Sequence, residues 1–299
     1  MNCLFCGDEI ENDPNYSDCR DYYLQSPTIV SYAHCKKCNN LQQNPIPKNI
    51  DSFYHAYPIH KKKHPLFSMI RNFVGQSGYC DVKNKFIQGN FVVIDYGCGD
   101  GSYLRSLQKN KKLILIGYDK FKSWSTRENE TNIIFTSDKF FLKNNFKNKA
   151  NIITLHHVFE HLPNPAEVMT ELRSLLADDG IIYILIPSIE SLIASKFKKR
   201  WHGLDAPRHL HLVTERGLRI FLAPLGFFIT KTEKHYFSND IPASISSLLF
   251  GKFNNIFFYM LLPISILFGW AKIKTTRSII SFEIKKITTD KILRDNLTC

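Results

Sequence analysis

Four groups of residues in this 299-residue chain combine side-chain types and spacings that chemistry needs. The first is Asp95-Tyr96-Gly97-Cys98-Gly99-Asp100-Gly101, which follows a β-branched run. Glycine lacks a Cβ, so glycines in alternation let a strand turn sharply and let a ligand approach the backbone closely. Asp119, after the next strand candidate, is placed to hold the hydroxyls of a ribose. The loop carries none of the basic or hydroxyl residues of a P-loop, which argues against a nucleoside triphosphate.

The second group is His157, Glu160 and His161, at the end of the fourth strand candidate. In an open α/β sheet the carboxyl ends of the central strands face the ligand crevice, so these side chains are expected beside a bound ligand. An imidazole titrates near neutrality and can take a proton from a hydroxyl, which makes His161 and His157 candidate bases. The plainer reading of Glu160 and His161 is a helix cap that orders the loop. The third group lies in the histidine-rich segment 201–214, where Trp201 can form an apolar wall and Arg208 or His209 can contact an anionic or hydroxyl group. The alternative for that segment is a surface loop with a helix cap at Thr214.

The fourth group is Cys3, Cys6, Cys35 and Cys38, two CxxC knuckles separated by 28 residues, a spacing that suits one zinc held by four thiolates. A polar module of this size buries little, so the metal is expected to contribute directly to its folding. Cys19, Cys80, Cys98 and Cys299 have no partner at ligand spacing and read as packed residues. The start of the chain shows no basic stretch followed by an apolar core, so the expectation is a cytoplasmic protein without disulfides. The net charge of +12 points to an anionic partner: nucleic acid, lipid headgroups or a phosphorylated substrate.

The elements that must position these groups follow from periodicity. Short apolar runs at 91–96, 113–118, 132–135, 151–155, 181–186, 227–232 and 278–284 read as strands, with helical spacing at 103–108 and 166–176. Such alternation predicts an α/β fold built of βαβ units. We read residues 1–60 as a zinc-ribbon-like module with a proline-rich linker, and 61–299 as the α/β domain. A further helix is expected at 66–74, after the basic cluster at 60–64. Residues 241–271 form an apolar helical insertion, too short and too interrupted by Pro263 to span a bilayer. Lys252, Lys272, Lys274 and Arg277 flank it, so it suits either the surface of an anionic membrane or a subunit interface.

The stretch from Val93 to Gly101 resembles the first motif of the class I S-adenosylmethionine-dependent methyltransferases, and the likeness extends over about residues 80–286. It implies a Rossmann-like seven-stranded sheet whose last strand, at 278–284, is antiparallel. It also implies that Asp95, Gly97, Gly99 and Gly101 line the methionine and sugar of the cofactor, that Asp119 binds the ribose and that Asp138 contacts the adenine. A nicotinamide-binding Rossmann domain uses a similar loop, but the His-Glu-His segment resembles the methyltransferases instead. His157, Glu160 and His161 partly match the Glu-x-x-Glu-His metal motif of ubiquinone O-methyltransferases and small-RNA 2′-O-methyltransferases, with His157 replacing the first glutamate.

Residues 201–214 resemble methyltransferases associated with bacterial surface-polysaccharide and glycolipid synthesis, which often begin with a cysteine-rich segment. The resemblance implies methyl transfer from S-adenosylmethionine to a small-molecule acceptor such as a hydroxyl of a sugar or lipid-linked saccharide. The site would comprise His161, His157, Glu160 and His209, with structural zinc and a divalent ion as further cofactors. With the basic-flanked insertion 241–271, the expectation is a cytoplasmic protein that can bind the inner membrane face peripherally, the subunit interface remaining the other reading of that insertion. Two rivals are an RNA methyltransferase with a zinc ribbon, which the charge fits and the apolar insertion does not, and a cofactor-binding scaffold without turnover.

Overall fold

The computed structural model describes residues 1–54, 79, 91–122, 124, 132–270 and 277–287. The helix expected at 66–74, the basic cluster at 60–64, Cys80, Cys299, Lys272 and Lys274 lie outside the described residues.

The first 54 residues contain five short strands: β1 (Glu11–Asn12), β2 (Cys19–Arg20), β3 (Ile29–Val30), β4 (Tyr32–His34) and β5 (Leu41–Gln43). The α/β part then runs β6 (Phe91–Tyr96), α1 (Ser102–Leu107), β7 (Leu113–Tyr118), β8 (Ile133–Thr136), α2 (Lys139–Phe146), β9 (Ala150–His156), α3 (Pro165–Leu175) and β10 (Leu176–Pro187). It continues with α4 (Leu192–Phe197), β11 (His211–Leu212), α5 (Glu215–Leu222), β12 (Phe227–Tyr236), α6 (Asp240–Phe250), α7 (Asn255–Trp270) and β13 (Arg277–Lys286).

Seven of these strands form one sheet in the order β12-β13-β10-β9-β6-β7-β8, with β13 antiparallel to both of its neighbours. The fold class is therefore the expected one. Strands of a largely parallel sheet are covered on both faces, which is why β6 and the second half of β10 are almost continuously buried. Connections leave β6 toward β7 on one side and reach β9 on the other, so a crevice opens beyond the carboxyl ends of β6 and β9. The glycine loop follows β6 and the His-Glu-His segment follows β9, which brings the first two groups of residues to that crevice.

Local signals explain several boundaries. Pro165 begins α3 where a missing N–H costs nothing, Asp138 caps α2, and Thr214 caps α5 by accepting from Gly217 N at 3.0 Å. In α5, Leu218, Phe221 and Leu222 face the core at helical spacing. Asp178-Asp179-Gly180 would be expected to stop a helix ahead of a strand, yet β10 already starts at Leu176. Its register shifts between Leu176 and Ile181, and a Cβ on Gly180 would lie 2.7 Å from the Ala150 carbonyl. The three residues are thus an irregularity within the strand.

The second sheet has the order β1-β4-β5-β11. Its last strand comes from far along the chain: His211 pairs with Gln42 and Leu212 with Leu41. Tyr32 Oη and Gln43 Nε2 each donate to the His209 carbonyl at 2.8 Å, Gln43 Nε2 also donates to the Pro207 carbonyl, and Thr214 Oγ1 donates to the Cys38 carbonyl at 2.6 Å. Phe5 packs against Phe159 and Phe221, so the first 54 residues share a core with the α/β part. The segment 201–214 is therefore mostly buried between the two.

Arg208 does not reach toward a substrate. It is 1% exposed, bonded to Asp21 (2.7 and 3.2 Å) and to Asp205 (2.8 and 2.6 Å), because a guanidinium buried here needs carboxylates on both edges of its fork. Trp201 is likewise a core residue, with its Nε1 donating to Asp240 at 2.8 Å. Replacing Asp21 by Asn should lower stability by about 3 kcal/mol, since it strips a buried guanidinium of one partner. Glu11→Gln, which breaks the exposed Lys36–Glu11 pair, should change it by less than about 0.5 kcal/mol. Urea denaturation of both variants checks the contrast.

Candidate functional site

The cofactor side is built from β6, the glycine loop and β7. Gly97, Gly99 and Gly101 have φ of +79°, +53° and +76°, the left-handed region that favours glycine. A Cβ on Gly97 would lie 2.4 Å from Val158, and one on Gly101 would lie 2.5 Å from the Phe135 ring. Asp119 is buried; its Oδ2 accepts from Gly99 N at 2.9 Å and its Oδ1 from Phe121 N at 2.8 Å, so it ties the loop to the end of β7. Asp95 sits beneath the loop, accepting from Thr154 Oγ1 at 2.7 Å and lying 3.5 Å from His156 Nδ1. Burial lowers the pKa of His156, which favours its neutral form. Asp138 is engaged in capping α2, accepting from Phe140 N at 2.8 Å.

The histidine side is assembled from two segments. His157 has a φ of +55°, a conformation that costs a non-glycine residue about 1–3 kcal/mol, and its N–H is held by the Leu185 carbonyl. Its ring is one-third exposed, with Nδ1 at 3.3 Å from Glu160 Oε1. Glu160 is fully buried, and His209 Nε2 approaches the same oxygen at 3.8 Å. His161 and His209 pack edge to face with ring centres 4.6 Å apart. The four residues expected to act together are thus brought together.

Electrostatics in this cluster are set by burial. Burial alone would raise the Glu160 pKa, but His157 and the surrounding imidazoles bring it below the usual range. Burial lowers His209 to about 4 and His211 to about 4, so both are neutral at pH 7. Asp205 is held down to about 2, the pull of Arg208 outweighing burial.

In the N-terminal part Cys3 and Cys38 place their sulfurs 3.6 Å apart and Cys6 and Cys35 theirs 3.4 Å apart, with all four within 4.8 Å of one another. Tetrahedral zinc with bonds of about 2.3 Å needs sulfurs about 3.8 Å apart, so this set has the shape and chemistry for that ion. Cys19 and Cys98 are buried, as packed residues should be.

Sequence reasoning missed the support residues Thr154, His156, Asp21 and Asp205. Only Asp205 carried a readable signal, three residues before a basic residue in a segment rich in polar groups. The glycine within β7, Gly117, was a second missed signal: a Cβ there would lie 2.6 Å from Phe135, which walls the glycine loop.

A family described as "Methyltransferase domain" matches residues 66–232, more than half of the chain. The chain belongs to this methyltransferase family. It is an S-adenosylmethionine-dependent enzyme, and the glycine cradle with Asp119 at its edge fits that cofactor. Among solved structures, a putative methyltransferase from Haloferax volcanii, solved with the activator Trm112, is similar at 12% identity and a TM-score of 0.50, over 81% of this chain and 99% of that one. A SAM-dependent methyltransferase from Archaeoglobus fulgidus is similar at 18% identity and a TM-score of 0.45, over 78% and 99%. At such identities the likeness concerns the fold. No curated protein matches the chain.

Gly97→Ala in this methyltransferase should weaken cofactor binding roughly thirtyfold, about 2 kcal/mol, from left-handed strain and the clash with Val158; calorimetric titration with S-adenosylhomocysteine measures it. His211 gives a pH dependence. Its folded pKa is depressed to about 4 against about 6.5 unfolded, so the unfolded chain binds more protons between these values. The contribution is complete above pH 6.5 and falls by about 1.4 kcal/mol per pH unit toward pH 4. Thermal midpoints should drop over that window, and less steeply in His211→Asn.

Proposed function

We propose that the enzyme methylates a hydroxyl of a small-molecule acceptor, a sugar or lipid-linked saccharide, presented at a membrane surface. The observation that carries this reading is the α6–α7 hairpin. Leu248, Leu249, Phe250, Ile256, Met260, Ile264 and Leu267 are exposed on it, and Lys252 lies at its turn. Among the described residues no helix is long and apolar enough to cross a membrane. Such a surface suits the headgroup boundary of anionic lipid.

The hairpin is fastened to the histidine loop. Arg200 donates to the Ser247 carbonyl at 2.8 Å, His202 N donates to Ser244 Oγ at 2.9 Å, and Trp201 reaches Asp240. The adjoining Gly203 carbonyl in turn holds His209 Nδ1 at 2.8 Å. A lipid-anchored acceptor bound along the hairpin would therefore meet the residues that line the acceptor side of the crevice.

When bound, S-adenosylmethionine supplies a methyl group on a sulfonium, and its in-line displacement rewards alignment and exclusion of water. The glycine loop and Asp119 would fix the donor. His157, with Nδ1–H directed at Glu160, keeps Nε2 free to accept the acceptor's hydroxyl proton as the new O–C bond forms. The partial exposure of the His157 ring, beside a fully buried Glu160, supports this role. Zinc on Cys3, Cys6, Cys35 and Cys38 would hold the second sheet, through the Cys38 carbonyl and Thr214.

Labelled cofactor incubated with the lipid and RNA fractions of a cell extract tests this reading. We expect label in a saccharide-bearing lipid, lost when Leu249 and Met260 are both replaced by Glu. His157→Ala should retain cofactor binding and lose about 100-fold or more in kcat. Label confined to RNA, or full turnover by His157→Ala, would refute it.

A further inference from the structure

We propose that Glu160, His161 and His209 form a divalent-cation site of the two-imidazole, one-carboxylate class, separate from the cysteine cluster. Its placement beside the acceptor rests on the reading above; its ligand chemistry does not. One ligand atom from each of the three residues lies within 4.8 Å of the other two, a span that small side-chain movements close around one ion.

The hydrogen bonds decide which imidazole atoms face this point. His161 Nδ1 is 3.0 Å from the Arg208 carbonyl, and His209 Nδ1 is 2.8 Å from the Gly203 carbonyl. A carbonyl only accepts, so both rings carry their proton on Nδ1 and a lone pair on Nε2. A backbone carbonyl on the distal nitrogen is the arrangement that orients and strengthens a metal-binding imidazole. His157 differs: its Nδ1 faces Glu160, which makes it a neighbour of the carboxylate and not a ligand.

Glu160 supplies the second argument. Both of its oxygens are buried without a hydrogen-bond partner of good geometry, an expensive state for an ionised carboxylate unless a cation is near.

Charge supplies the third. Arg208 pairs with Asp21 and Asp205, at 2.7 and 2.6 Å, while Glu160 has imidazoles beside it, His157 at 3.3 Å and His209 at 3.8 Å. Two imidazoles and one carboxylate suit zinc, iron, manganese or cobalt over calcium or magnesium, and they leave coordination positions open for an acceptor oxygen.

Zinc is the probe. The full-length protein and its variants are saturated with Zn2+, dialysed against metal-free buffer and analysed for zinc per chain. The wild type should hold two equivalents. Glu160→Gln and His209→Asn should each hold one fewer than the wild type, while Cys6→Ser should lose the other equivalent and keep this one. Folding of each variant is read from circular dichroism, and His161→Asn, at a partly exposed position, carries the test if Glu160→Gln does not fold. Zinc content equal to wild type in the folded Glu160 and His161 variants would overturn the proposal. Titration with S-adenosylhomocysteine is run alongside; absence of binding there would count against the methyltransferase reading and leave the zinc count as it stands.

Discussion

The interaction on which the rest of the structure depends is the buried contact of Arg208 with Asp21 and Asp205. Desolvating a guanidinium costs several kcal/mol, recovered only when its donors meet carboxylates in good geometry. Here one carboxylate comes from the N-terminal residues and the other from the loop that carries Arg208 itself. The contact therefore fixes the N-terminal part to the α/β part. It also fixes the Arg208 carbonyl, on which the orientation of His161 depends. The same loop presents His209, whose own carbonyl is held by Tyr32 and Gln43. An apolar replacement of equal volume can match a buried ion pair in stability, but it could not set the direction of these two imidazoles.

The two sides of the crevice are built by different kinds of sequence. The cofactor side is local: β6, the glycine loop, α1 and β7 follow one another, and each supports the next through backbone geometry. The histidine side draws on residues near 21–43, 157–161 and 203–211, brought together by strand pairing across the second sheet. A glycine-loop side built locally and a histidine side assembled from distant segments allow one to vary without disturbing the other. That division is general to doubly wound folds, where loops at the strand ends carry specificity.

This difference explains how much was legible in the sequence. The seven strands, the antiparallel last strand, the glycine loop and Asp119 were readable because their signals lie within a few residues of one another. The grouping of His157, Glu160 and His161 was readable for the same reason, and the expectation that His209 joins them holds in space. Arg208 was misread as ligand-facing. Its type and neighbours fit both roles, and only the distant partner Asp21 decides between them. The strand β11 was invisible, being two residues long and defined wholly by its pairing with β5.

The pairing of Leu41 with Leu212 also governs the order in which the molecule can be made. During synthesis the edge of β5 emerges long before its partner strand exists, and a contact so distant along the chain forms late. Until then Leu41, Gln42 and Gln43, all buried in the finished protein, stand at an open strand edge of the kind that recruits other chains. The cysteine knuckles close within the first 38 residues. Early metal capture would thus hold the nascent sheet in register while it waits, so the cysteines serve the growing chain as well as the finished one.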